Sequence, residues 1–218
     1  MKLRRRLGIG RRRQEQLSRL FQLSLVGFLF VGLYETNVGI VVNAALALAI
    51  TGLPAILERD YQIPMDAGLT LWITTAVFLH TLGTVGLPGM ENSFYQSVWW
   101  WDHLTHALSA SLVGGVGYAT VSALDEHLEE LYFPPSFTFA LILVIVIAFG
   151  VAWEVAEFAI SGFSVLVGMP PALTQFGVSD TLMDLVFDAA GAVIVATWGT
   201  ARLIGVSEAI LARLEGNR

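Results

Sequence analysis

Three stretches of the chain place acidic and imidazole side chains at helical spacing within otherwise apolar surroundings. Asp102, His103, His106 and Ser109 open the first; Glu154 and Glu157 stand three apart in the second; Asp180, Asp184 and Asp188 follow in steps of four in the third. Helical periodicity puts Asp102, His106 and Ser109 on one face, with His103 turned about 100° away. Steps of four drift slowly around a helix, so the three aspartates cover an arc of about 80°. Carboxylates and imidazole together form a ligand set suited to Zn, Mn or Fe. The same groups can also share or relay protons.

On the metal reading, Asp102, His106, Asp180 and Asp184 are the expected ligands of a divalent ion. Glu154 or Glu157 is then the expected catalytic base, acting on a metal-bound water. His80 and Asp188 are additional candidates, and Asn43 falls at a comparable depth. A single intramembrane Asp–His pair is ordinary interhelical adhesion, worth about 0.6–2 kcal/mol. Adhesion does not call for so many acids on three helices, so the cluster as a whole reads as a site. His103 and His127 are expected at the interface rather than in it.

The elements that must carry these groups are membrane-spanning helices. Of 218 residues, 55% are hydrophobic and only 14% charged, against roughly 25% charged in a soluble domain. A mean hydropathy of +0.67 excludes a disordered chain. There is no cysteine, which removes disulfides, thiolate metal sites and cysteine nucleophiles. A helix needs about 20 mostly apolar residues to cross the hydrocarbon core. Six stretches qualify approximately: Leu20–Tyr34, Val38–Leu57, Ala67–Leu87, Leu104–Ala123, Phe137–Ile160 and Leu182–Ile204. The expectation is an all-α integral membrane protein, a bundle of six transmembrane helices over residues 20–204. A basic tail (1–19) precedes it and a short tail (205–218) follows. Glu35-Thr36-Asn37 reads as a tight turn between the first two spans.

Charge sets the orientation. Of twelve Lys and Arg residues, eight precede the first span, and Arg59, Arg202, Arg213 and Arg218 fall on the same side if the spans number six. The positive-inside rule makes that side cytoplasmic. Both termini are therefore expected inside the cell membrane, with loops 35–37, 88–103 and 161–181 outside. Depth follows from a rise of about 1.5 Å per residue, and it brings the acids of all three stretches into the outer half of the bilayer. Every Lys and Arg lies on the other side, so these carboxylates must take up protons or bind a cation.

Several features have plainer readings. The Arg-rich tail suits anionic headgroups and topology, and no folded region presents a basic face for nucleic acid. The run Asp125-Glu126-His127-Leu128-Glu129-Glu130 reads as a solvated helix end. Phe94, Tyr95 and Trp99-Trp100-Trp101 read as an interfacial aromatic belt. Gly114, Gly115 and Gly191 read as close-approach points between helices.

The blocks Trp101-Asp102-His103-Leu104-Thr105-His106, Ala152-Trp153-Glu154-Val155-Ala156-Glu157-Phe158 and Gly177-Val178-Ser179-Asp180-Thr181-Leu182-Met183-Asp184 with Gly191-Ala192 resemble the YjdF-like family of uncharacterised inner-membrane proteins. The similarity runs from about Ala67 to Ile204, and a looser one connects the pattern to VanZ-like membrane proteins. The resemblance implies a multi-span membrane fold and marks Asp102, His106, Glu154, Glu157, Asp180 and Asp184 as motif positions. It implies no activity, and Asp188 and His103 lie outside its pattern. Three functions fit the residues. One is a metal-dependent hydrolase or transferase acting on a lipid or lipid-linked substrate at the outer leaflet. Another is a proton- or cation-coupled transporter, working as a homo-oligomer. The last is a non-catalytic membrane scaffold.

Overall fold

In the computed structural model, residues 9–86, 92–128, 132–168, 171, 173, 175–196 and 200–216 are described, with side chains in the last segment from Leu203 onward. They form eight helices: α1 (Arg11–Tyr34), α2 (Val38–Tyr61), α3 (Ala67–Gly83), the single turn α4 (Phe94–Ser97), α5 (Trp101–His127), α6 (Pro135–Val167), α7 (Val178–Ile194) and α8 (Thr200–Gly216). No strand occurs among the described residues. Four helices, α1, α2, α5 and α6, are long and apolar enough to cross a bilayer, and α3 is a shorter apolar helix.

Helix ends follow local chemistry. Glu35-Thr36-Asn37 forms the expected turn: Thr36 has φ 53°, and Asn37 caps α2 by accepting from the Ile40 amide at 3.2 Å. Asp66 caps α3 by accepting from the Leu69 amide at 2.7 Å. A proline starts α6 and Gly168, at φ 68°, ends it, as suits a residue with no amide hydrogen and one with no Cβ.

Boundaries differ from the sequence expectation in instructive ways. α1 begins at Arg11, nine residues before the expected Leu20, because long basic side chains are good helix formers whatever their polarity. α6 runs to Val167, seven residues past Ile160. α3 stops at Gly83, and the expected end of that span, Leu87, lies outside the described residues. The expected span Leu182–Ile204 takes in parts of α7 and α8. α7 gives way to a π-helical turn at 195–196, and α8 starts at Thr200. α7 has 17 residues, about 26 Å of helix, and three of its side chains are aspartates.

The helices form two layers of contact. α1 packs on α2 and α3, with Phe21 stacked on Phe78 at 4.3 Å. α5 is central and touches α3, α6, α7 and α8. Paired positions 103 with 184, 106 with 188 and 107 with 191 rise together, so α5 and α7 are parallel. α6 runs against both, since Val146 meets Gly114, Gly150 meets Asp188 and Glu154 meets Thr181.

Burial is inverted relative to a water-soluble domain. Leu23, Phe30, Val144, Phe149, Phe163 and Leu166 are exposed on the outside. The interior holds Asn43, Thr74, Thr81, His103, Thr105, Ser111, Glu154, Asp184 and Asp188. Apolar side chains facing outward and hydrogen-bonded polar ones inside are what a lipid solvent selects. The aromatic stretch before α5 divides accordingly. Trp99 is 79% exposed, while Trp101 is buried and donates to the Leu79 carbonyl at 3.2 Å.

The α5–α7 contact is closest at Gly191, where a Cβ would collide with the Ala107 carbonyl oxygen and approach the Ala110 Cβ at 3.1 Å. Gly52 in α2 faces nothing within 4 Å. Gly191→Ala should therefore lower stability in detergent by about 1–3 kcal/mol through overpacking, read as a fall in thermal midpoint. Gly52→Ala should leave that midpoint unchanged or raise it, because alanine is the better helix former.

Candidate functional site

The parallel pairing of α5 with α7, and the return of α6 against them, brings the three polar stretches together at one end of the bundle. His103 Nδ1 lies 2.9 Å from Asp184 Oδ1, with both residues buried. One turn further along, His106 Nδ1 lies 3.2 Å from Asp188 Oδ1. An ionised carboxylate oxygen can only accept, so His106 Nδ1 carries the hydrogen of this contact, and Nε2 faces the remaining acids. That Nε2 stands 3.7 Å from Asp102 Oδ1 and 3.8 Å from Glu154 Oε1, too far for hydrogen bonds.

Glu154 is 4% exposed. Its Oε2 accepts from the Thr181 hydroxyl at 2.7 Å. Thr181 in turn accepts from Gln175 Nε2 at 3.3 Å. The other oxygen of Glu154, Oε1, is buried with no hydrogen-bond partner among the described residues, and so is Asp188 Oδ2. Asp188 fits because residue 150 is glycine; a Cβ there would collide with its carboxylate.

Two three-residue groups have the spacing of a metal shell. Asp102, His106 and Asp184 form one, His103, Asp180 and Asp184 the other, and within each the potential ligand atoms lie within 4.8 Å of one another. Asp184 belongs to both. Among the described residues no lysine or arginine forms an ion pair with these acids; the side chains that meet them are the imidazoles of His103 and His106.

The candidates from the sequence thus separate. Asp102, His106, Asp180, Asp184, Asp188 and Glu154 converge. Glu157 stands aside: its Oε1 accepts from the Trp153 indole at 3.0 Å, and it forms, with Asp102, part of the wall of a cavity of about 380 Å³. His80 lines the same cavity rather than the acid cluster. Its Nδ1 is 2.8 Å from the Tyr95 hydroxyl and its Nε2 is 3.2 Å from Asn43 Oδ1. Burial, and then the charge of Asp102, push the Tyr95 phenol well above its ordinary range, so it keeps its proton and donates to His80. Gly83 makes room for the Tyr95 ring, since a Cβ there would collide with it.

Two residues were misjudged from sequence alone. His103, expected at the interface, is 8% exposed, stacks on Phe187 at 4.9 Å and bonds Asp184. Its 100° offset from Asp102 aims it at α7, so the offset that removed it from one face placed it on another. Tyr95, expected in the belt, reaches inward to His80. Thr181, which holds Glu154, was visible only as the residue following Asp180.

Comparison with known proteins gives the family. The family described as "Predicted membrane protein (DUF2238)" matches residues 17–204. A protein of Thermotoga maritima described as "Uncharacterized protein" is 26% identical over 138 residues. That alignment takes in 63% of this chain and 65% of the relative, so just under two thirds of the relative's length is covered. No solved structure matches.

The geometry around Glu154 makes a specific demand on Thr181. Thr181→Val removes the donor to a buried carboxylate and should cost about 1–3 kcal/mol. Combined with Glu154→Gln, the same change should cost much less. Thermal unfolding of the two single variants and the double variant measures the coupling between the residues.

Proposed function

Because the chain belongs to the DUF2238 family of predicted membrane proteins, we propose that its buried His/Asp/Glu cluster is a divalent-metal site of a membrane hydrolase or transferase acting on a lipid or lipid-linked substrate. The YjdF-like resemblance covers the same three motif blocks and implies no activity. One observation carries it. His106 is held at Nδ1 by Asp188, and its Nε2 faces the carboxylates of Asp102 and Glu154. A ligating histidine characteristically gives its other ring N–H to a carboxylate in this way. With metal–ligand bonds near 2.1 Å, ligand atoms on a tetrahedron stand about 3.4 Å apart. Separations of 3.7 and 3.8 Å need only a small contraction.

On this reading Asp102, His106 and Asp184 hold the ion, and the free oxygen of Glu154 either joins them or orients a bound water. An ion held there would supply Lewis-acid activation of a water for hydrolysis or transfer at neutral pH. Glu157 sits on the cavity wall beside Asp102, placed to take a proton from a reacting group. The cavity gives a substrate headgroup its approach. It is also lined by Asn37 of the α1–α2 turn, Tyr95 of α4 and Phe176 ahead of α7, all at the same end of the bundle.

We read the protein as six spans, α1, α2, α3, α5, α6 and α7 continuing toward α8, with both termini cytoplasmic in the cell membrane and the cluster near the outer face. In support, Arg213 of α8 lies beside the C-terminal end of α2, which carries Arg59, at the opposite end of the bundle: Arg213 donates to the Asp60 carbonyl at 3.1 Å and lies 4.8 Å over the Tyr61 ring.

Protein purified from native membranes without chelator should contain at least one Zn, Mn or Fe per chain by elemental analysis. His106→Ala and Asp184→Asn should abolish it. Asp188→Asn should weaken affinity by roughly 10–100-fold, as loss of an orienting partner does. Metal far below one per chain, unaffected by these changes, overturns the reading.

The chain has no cysteine, so single cysteines report topology cleanly. In sealed right-side-out vesicles, Glu35→Cys should react with an impermeant maleimide, and Glu58→Cys should react only after permeabilisation. The reverse pattern would invert the protein, and reaction of both in sealed vesicles would break the six-span count.

A further inference from the structure

We infer that the cluster is built for two divalent cations bridged by Asp184, with His106 and Asp102 on one ion and His103 and Asp180 on the other. This rests on the metal reading above and extends it to a second ion.

The two ligand groups share Asp184 and differ in every other member. A carboxylate has two oxygens and can bridge ions about 3.5–4 Å apart, the spacing of two-metal hydrolytic sites. Asp184 is 1% exposed and lies between the histidines of successive turns of α5. Each triad supplies one imidazole and one further carboxylate to the shared group, a symmetry that a single-ion site does not require. The His103 ring is fixed by its stack on Phe187, just as the His106 ring is fixed by Asp188. Both imidazoles are therefore preorganised.

Charge gives a second, independent reason. Asp102, Glu154, Asp180, Asp184 and Asp188 bring five carboxyl groups into contact with two histidines, and no Lys or Arg pairs with them among the described residues. With all five ionised, one divalent ion leaves a formal charge of minus three in a poorly solvated interior. Two ions leave minus one. The unpartnered Oε1 of Glu154, buried and 3.8 Å from His106 Nε2, points into the cluster. It faces the group formed by Asp102, His106 and Asp184, to which it can add a fourth ligand atom, so that both oxygens of Asp184 need not serve one ion.

Titration of the full-length protein in lipid nanodiscs with Mn²⁺ tests this directly, using two readouts on the same samples. Equilibrium dialysis should reach two Mn²⁺ per chain, and electron paramagnetic resonance should show an exchange-coupled pair. His103→Gln should drop the stoichiometry to one and restore the six-line spectrum of an isolated ion, with the thermal midpoint confirming that the variant folds. The wild-type stoichiometry and spectrum need no variant. Saturation at one uncoupled ion per chain overturns the bridged pair and leaves the single-ion reading intact. In that case His103 only orients Asp184. Saturation at none overturns both.

Discussion

Acidic side chains from three helices occupy one poorly solvated volume, and everything else in the architecture accommodates that fact. Like charges in a medium of low dielectric repel strongly, so the helices that bear them cannot be held together by the cluster itself. Small residues hold them. Gly191 lies on the backbone of Ala107, Gly114 faces Ala192 and Val146, and Gly150 clears space for Asp188. In lipid, where apolar contact brings no solvent-driven gain, such close backbone approach supplies the attraction between helices. The glycines and the acids are therefore two halves of one device. Without the close packing the carboxylates would not converge, and without the carboxylates the tight contact would have nothing to position.

The hydrogen-bond network shows how the remaining polarity is managed. Three histidines each engage at least one ring nitrogen with a partner on another element: His80 with Tyr95 and Asn43, His103 with Asp184, His106 with Asp188. Thr181 and Trp153 direct Glu154 and Glu157 respectively. Buried polar groups in a nonaqueous solvent are costly unless satisfied, so of the three buried side-chain oxygens without a partner among the described residues, Ser18 Oγ aside, those of Glu154 and Asp188 stand out. Both belong to the acid cluster. The cavity beside it is lined by amide, hydroxyl, imidazole and carboxylate groups with apolar neighbours such as Ile40 and Phe176. That composition suits a ligand with one wet end and one greasy end.

Much of this was legible from residue order. The spacing of Asp102 and His106, the Glu154–Glu157 pair and the four-step aspartates of α7 each predicted a polar face, and the faces that carry Asp102, Glu154 and Asp184 do turn inward. The Glu35-Thr36-Asn37 turn was readable because an asparagine before an apolar run is an N-cap. Other features were less so. A helix wheel drawn for α5 alone assigns His103 to the wrong side, because it cannot show that two neighbours, α6 and α7, receive adjacent faces of the same helix. Glu154 and Glu157 look equivalent at a spacing of three, yet one enters the cluster and the other turns to the cavity wall. The difference lies in Thr181, which is near Glu154 only in space, and in Trp153, which binds Glu157 from one turn back on the same helix. Hydropathy over Leu182–Ile204 averages across the π-helical turn at 195–196 and does not register it.

Composition, hydropathy and the placement of twelve basic residues already determined the solvent, the helical class and the absence of any lysine or arginine from the acidic segments, since these are properties of the chain summed over its length. Only the tertiary structure decided which acids meet, that Asp184 is common to two ligand groups, and that one ring nitrogen of His106 is anchored while the other faces two carboxylates. Those relations depend on helix direction, rotation and distance of approach. These are set by contacts such as Gly191 on Ala107, between residues far apart in sequence.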